Sequence, residues 1–333
     1  MKRWLAIALA ALSITFLAAA EEPPDIELPH ETAPPQADQT TAPGVSWRDD
    51  DGILRLVNRD LRITKEYVPQ DLVTPKVATR KKGMEERIQM RREAARALER
   101  MFAAAQQEDG HILYAASGYR SYGIQQILFN GKVQEVGSRQ TAQKTVAPAG
   151  TSEHQLGLAM DVQAPSQLNL NRAFGDTEEG KWVAANAHRF GFIIRYKREW
   201  TDITGYLYEP WHIRYIGEAH ARAVYALDLP FETYAQRLQG LPEYVLRGAT
   251  DTLLVSLLQE EAAIPAVLLS AQGEQSQQMA LREATLPLLA AGTTYEQALW
   301  AIYPTPKPTA GPRIDEDEES SLFALLPGHG LSD

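Results

Sequence analysis

The sequence predicts an α+β fold: a mainly antiparallel sheet flanked by helices, with a C-terminal helical appendage. Three observations carry that expectation. Apolar residues recur at steps of three, four and seven over Met84–Ala105, placing Met84, Ile88, Ala95, Leu98, Phe102 and Ala105 on one helical face. Apolar runs of strand length follow at His111–Ser117, Leu158–Val162, Gly191–Tyr196 and Trp211–Ile216. These elements come in segregated blocks with hairpin-length links late in the chain, not in the regular alternation of a doubly wound parallel sheet.

In chain order, the first stretch has the pattern of an export signal. Lys2 and Arg3 precede the apolar run Trp4–Leu17, and Ala18, Ala19 and Ala20 stand before Glu21. The run is short for a bilayer span of about 20 residues, which favours cleavage near Ala20; an uncleaved anchor is the alternative. Residues 1–20 contain no acid, so losing Lys2 and Arg3 takes the formal charge from −10 to −12. A chain this acidic has no overall electrostatic reason to bind nucleic acid. It has no cysteine, which removes disulfides, thiolate metal sites and cysteine nucleophiles together. The expectation is an exported, extracytoplasmic monomer that touches the membrane only through its N-terminal segment, if that is retained. Any metal site must use His, Asp or Glu.

Residues 21–50, rich in Pro, Thr, Glu and Gln, read as a disordered spacer. Alternating apolar residues at Gly52–Val57 suggest a first strand, and Asn58–Val73 a turn-rich arm around the domain. On the far side of the Met84–Ala105 helix, Arg87, Arg91, Arg92, Arg96 and Arg100 form a solvated face in expectation, and Glu108-Asp-Gly110 ends it. The His111–Ser117 strand delivers Arg120 just beyond its end. Tyr122–Val133 reads as a helix with Ile124, Leu128 and Phe129 inward, and Gly137–Ala147 as a polar loop. Gly180–Phe190 and Gly217–Leu227 read as further helices, so the main domain is expected to span 51–230. Residues 231–303, interrupted by Pro265 and Pro287, read as a helical appendage with no assigned role. Residues 304–333, with the acidic run Asp315–Glu319, read as a disordered tail.

Chemistry concentrates in Gly150–Asp161 (GTSEHQLGLAMD) and Glu209-Pro-Trp-His212. The 7 histidines permit elimination. His30 and His329 lie in the extended ends, His188 and His220 on helices, and His111 has no acid nearby in sequence. His154 and His212 alone stand in compact groups with carboxylates and small residues. Asp161 inside an apolar strand is costly unless paired or bound to metal; a salt bridge or cap is the bland alternative. Two imidazoles and a carboxylate make a site for one zinc ion with a fourth position open for water, and Glu209 would be the base beside that water. Residues three apart on a regular strand face opposite sides. Glu209 and His212 therefore share a site only if Pro210 puts Glu209 in a turn or bulge just before the strand. Arg120 reads equally well as a stabiliser of an anionic intermediate, a holder of a substrate carboxylate or a structural ion pair.

The stretches Ser117-Gly-Tyr-Arg-Ser-Tyr122, Ser152-Glu-His-Gln-Leu-Gly-Leu-Ala-Met-Asp161 and Glu209-Pro-Trp-His-Ile-Arg-Tyr215 together resemble the VanY-type D-alanyl-D-alanine carboxypeptidases. Those are zinc peptidases related to VanX dipeptidases and to the Hedgehog signalling domain. The likeness runs from about Leu56 to Leu229, with the motifs in the family's order. It implies a Hedgehog/DD-peptidase-like fold, zinc on His154, Asp161 and His212, Glu209 as general base, Arg120 at the transition state, and Ser117, Tyr119 and Gln125 lining the pocket. The implied activity is removal of the terminal D-alanine from peptidoglycan stem peptides. The same metal site would serve an L,D-carboxypeptidase acting on tetrapeptide stems. From another class, a non-catalytic zinc-containing cell-wall or protein-binding domain is the rival, and an intact Glu209 argues against it.

Overall fold

The computed structural model describes residues 50–259 and 263–290. The expected export signal, the spacer up to residue 49, the last part of the appendage and the acidic tail lie outside them. A two-stranded ribbon, β1 (Leu72–Val73) against β2 (Met90–Arg91), leads into α1 (Arg92–Asp109). Helix α1 buries Ala94, Ala95, Ala97, Leu98, Met101, Phe102 and Ala105 and ends at Gly110, whose left-handed backbone (φ 72) turns its N–H back to the carbonyls of Ala105 and Gln106.

The helix thus starts later than Met84. Glu85–Ile88 is a single 3-10 turn, because the carbonyls of Arg87 and Gln89 accept from the N–H groups of Gly118 and Tyr119 at 2.7 and 2.6 Å. Those acceptors serve a neighbouring turn and not a helical ladder. Arg91, expected on a solvated face, is buried against Asp71 at 3.1 Å, and its own N–H donates to Gly157.

The central sheet comprises β3 (Tyr114–Ser117), β4 (Ala159–Gln163), β5 (Phe192–Tyr196) and β6 (Glu209–Tyr215), in the order β3-β4-β6-β5 with every pairing antiparallel. This is the α+β, antiparallel architecture the sequence predicts. Every residue of β4, β5 and β6 is buried, so the polar side chains on these strands need partners inside the protein. The expected strand at Gly52–Val57 is instead irregular. Its Leu54 and Val57 are fully buried, and the carbonyls of Ile53 and Arg55 accept from Arg214 Nη2 at 3.0 and 2.8 Å. A guanidinium stands where a partner strand would otherwise be.

Helices α2 (Tyr122–Val136) and α3 (Arg139–Ala142) follow β3, the second occupying what reads as a loop in sequence. Ser121 caps α2 by accepting from the N–H of Ile124. Its inward residues are Gln125, Phe129 and Lys132, while Ile124 and Ile127 are 51% and 69% exposed. The amide of Gln125, donating to the Ala147 carbonyl at 2.7 Å, takes the position expected of the apolar residue beside it. Helices α4 (Glu178–Asn186), α5 (Thr201–Thr204) and α6 (Glu218–Leu227) connect and cover the later strands.

Beyond Pro230 come α7 (Phe231–Arg237), α8 (Glu243–Gly248), α9 (Asp251–Leu258), α10 (Ala266–Ser270) and α11 (Glu274–Ala290). Pro265 stands immediately before α10, whereas Pro287 lies within α11. Phe231, Tyr234, Leu238, Val245, Leu253 and Leu254 belong to the same hydrophobic cluster as Met160, Ile194 and Ile213 of the sheet. His220 of α6 fastens them further, bonding the Tyr234 hydroxyl through Nδ1 and the Leu246 carbonyl through Nε2, each at 2.6 Å. No helix among the described residues is long and apolar enough to cross a membrane.

Candidate metal and catalytic site

Asp161 of β4 and His212 of β6 are direct cross-strand partners, a register that holds two Cβ atoms about 5 Å apart. His154 comes from the 3-10 turn Glu153–Leu156, which Gly157 ends at φ 66. Gly118, just after β3, fixes the ring: its carbonyl accepts from His154 Nδ1 at 2.7 Å. A Cβ on Gly118 would collide with the backbone of Ile88 and Gln89, so this close approach requires glycine.

With Nδ1 donating to a carbonyl, His154 presents the lone pair of Nε2. His212 is held the other way round. Its Nε2 donates to Glu153 Oε2 at 3.3 Å, which leaves Nδ1 facing Asp161 Oδ1 at 3.2 Å. His154 Nε2 lies 3.4 Å from that same oxygen. The ligand atoms of His154, Asp161 and His212 all fall within 4.8 Å of one another. Two imidazoles and one carboxylate converging at this range could hold a zinc-like ion. The structure thus gathers the three sequence-predicted ligand residues at one point.

Burial pushes the His154 imidazole down to about 4, and the Arg120 guanidinium adds to it, so the ring is neutral at pH 7. Burial also works against charge on His212, but the carboxylates of Asp161 and Glu153 outweigh it and raise the ring to about 9. Asp161 resists burial through both imidazoles and stays well below the usual carboxylate range. Glu209 behaves differently. Burial, reinforced by nearby Asp161 and Glu153, raises it to about 8 against the pull of His212 and Arg120.

Glu209 is the first residue of β6 and does not precede it, but the expected bulge is there. The register jumps between Ile194↔Ile213 and Tyr196↔Glu209, so β6 carries extra residues around Pro210 and bends. Glu209 and His212 consequently line the same cleft, together with His154, Arg120 and Gln125. Arg120 Nη2 lies 3.7 Å from Asp161 Oδ2, and its N–H donates to the His154 carbonyl at 3.1 Å. The Gln125 side-chain oxygen is buried with no partner among the described residues. Ser117 pairs with Asp161 across the sheet and Tyr119 is tied by its N–H to Gln89; the lining of the cleft includes neither. It does include Ser152, Val146, Tyr196 and Tyr206, which sequence patterns did not single out.

The sequence reading also missed Glu153. This fully buried carboxylate accepts from Arg195 Nε at 2.8 Å and Arg214 Nη1 at 2.9 Å while its other oxygen holds His212. Burial opposes its ionisation, but the two guanidiniums hold it well below the usual carboxylate range. A signal existed: Arg195 lies within an otherwise apolar strand, and a buried cation requires a buried anion.

A sheet and an adjoining turn that gather two imidazoles and the Asp161 carboxylate beside a cleft lined by the buried Glu209 suit a metal-dependent hydrolase. Residues 87–218 match the VanY family, described as D-alanyl-D-alanine carboxypeptidase. The protein YodJ of Bacillus subtilis (strain 168) is 46% identical over 195 residues, 57% of this chain and 70% of YodJ. The D-alanyl-D-alanine carboxypeptidase of Enterococcus faecium is 33% identical over 192 residues, 56% of this chain and 59% of that one. Among solved structures, the LdcB LD-carboxypeptidase aligns with a TM-score of 0.54 at 44% identity, covering 56% of this chain and 87% of LdcB. The chain belongs to the VanY family of D-alanyl-D-alanine carboxypeptidases.

Proposed function

We propose that the chain is an exported zinc carboxypeptidase that removes the terminal D-alanine from peptidoglycan stem peptides, with one ion on His154, Asp161 and His212. The observation that carries this reading is the convergence of one potential ligand atom from each of the three residues, each imidazole being committed to an acceptor on its far side. When bound, the metal supplies Lewis acidity that polarises a scissile carbonyl and lowers the pKa of water. Glu209 takes a proton from the attacking water and hands it to the departing D-alanine nitrogen, a role that suits a carboxyl raised to about 8. Arg120 faces the oxygen that gains charge as the carbonyl carbon becomes tetrahedral. Gln125, its amide N–H already given to Ala147, offers its oxygen to a substrate N–H. The Lys2–Ala20 pattern supports delivery outside the cytoplasm, where stem peptides are found.

The family and the E. faecium relative favour D,D specificity, cutting between two D-alanines. A second reading, L,D cleavage of tetrapeptide stems, is favoured by the 44% identity to LdcB. Purified protein incubated with tetrapeptide and pentapeptide muropeptides separates them by which one loses a D-alanine in mass spectrometry. Chelation should stop release and zinc should restore it. Undiminished release from protein shown to be free of metal would overturn the metal-dependent mechanism.

A further inference from the structure

We propose that Glu232, at the start of α7, is a positioning residue for the metal site and acts on His212 through Arg195 and Glu153. The inference rests on the reading of His212 as a metal ligand. Glu232 receives Arg195 in a two-pronged pair, Nη1 to Oε2 at 2.9 Å and Nη2 to Oε1 at 2.5 Å. The remaining donor of Arg195, Nε, goes to Glu153 Oε1 at 2.8 Å. Arg214 Nη1 reaches the same oxygen at 2.9 Å. That leaves Glu153 Oε2 for His212 Nε2 at 3.3 Å. The side chains of Arg195, Arg214 and Glu153 are 0% exposed and that of Glu232 14%. Phe231, the residue before Glu232, lies against both guanidiniums, its ring centre 5.6 Å from Arg195 Cζ and 5.3 Å from Arg214 Cζ. The first two residues of α7 therefore seat both arginines.

The charges decide what Glu232 does. Two guanidiniums and two carboxylates balance. Without the Glu232 carboxylate, Arg195 loses both acceptors of its terminal nitrogens in a place that water does not reach, and Glu153 becomes the single anion for two cations. An unpaired buried cation draws the nearest anion. Turning Glu153 fully onto Arg195 and Arg214 gives up its bond to His212 Nε2. That bond fixes which nitrogen of His212 carries the proton and how the ring faces Asp161, the kind of outer contact on which metal affinity depends. Residue 232 lies beyond the family match at 87–218, so a helix outside that match helps to set the geometry of the site.

The test is zinc affinity, measured by competition with a chromophoric chelator at a temperature where circular dichroism shows each variant folded. Glu232→Gln should weaken zinc binding by about 10- to 100-fold, and Glu232→Asp, which keeps the charge at shorter reach, by less. In a Glu153→Gln background, adding Glu232→Gln should change zinc affinity no further, because the link it acts through is already cut. Wild-type affinity in Glu232→Gln, or losses that multiply in the double variant, would overturn the proposal. Should Glu232→Gln fail to fold, Glu232→Asp decides: a measurable loss of affinity supports the role, and wild-type affinity ends it. A wild-type protein that binds no zinc at all would instead remove the reading of the metal site itself.

Discussion

At the residue scale, the chemistry lies in which nitrogen of each histidine carries a proton. Gly118 and Glu153 consume the outward nitrogens of His154 and His212 and turn Nε2 of the first and Nδ1 of the second toward Asp161. His212, raised to about 9 by the carboxylates on either side of it, must surrender a proton when a metal enters. Apparent zinc affinity should therefore tighten about tenfold per unit as pH rises from 6 to 8. Isothermal titrations across that range check it, and a flat response would contradict the ligand assignment. Arg120→Ala should lower kcat by roughly 100- to 1,000-fold while zinc content holds; steady-state kinetics beside metal analysis separate the two. That His154, Asp161 and His212 come together was legible in sequence because the two histidines stand in compact groups with carboxylates and small residues, and Asp161 lies inside an apolar strand where a carboxylate needs a reason. Glu153 was hidden beside His154: its partners Arg195 and Arg214 come from two other strands, and no spacing along the chain joins them.

At the element scale, the site depends on two irregularities that pattern alone reveals poorly. The bulge at Pro210 was predictable, since proline cannot extend a ladder and Glu209 had to reach the His212 side. The turn after β3 was not, because Gly118 needs its lack of a side chain only once Ile88 and Gln89 pack against it. The same packing halts the helix expected from Met84. Gly118→Ala should cost about 1–3 kcal/mol of stability and weaken zinc binding as well, measurable by denaturant unfolding and chelator competition. If the variant keeps both, the turn is not what holds His154. Helix α6 carries a separate titration. His220, buried between Tyr234 and the Leu246 carbonyl, is pushed down to about 4 by burial, against about 6.5 when unfolded. Between those values the unfolded chain binds more protons, so this contribution is present above pH 6.5 and is lost as pH falls toward 4. It amounts to at most about 3 kcal/mol. Melting curves from pH 7 to 4.5 should fall less steeply for His220→Gln than for wild type, and parallel curves would rule the linkage out.

At the scale of the whole molecule, the helices after Pro230 and the sheet share one hydrophobic cluster. An Ala-, Leu-, Glu- and Gln-rich composition gave the sequence its helical character there, but not the destination of its apolar residues, because composition does not state what a helix packs against. A chain ending at Leu229 would leave α6 uncovered and Arg195 without Glu232, and it should show no cooperative thermal transition; a sharp calorimetric peak from it would mean that the later helices are dispensable. The central claim is that His154, Asp161 and His212 hold one metal ion beside the proton-transferring Glu209. Its most direct test is Glu209→Gln, assayed together for zinc content and for D-alanine released from the muropeptide that the wild type cleaves. The expected result is one zinc per chain, as in wild type, with turnover reduced by about 100- to 10,000-fold. Wild-type turnover in that variant would contradict the account.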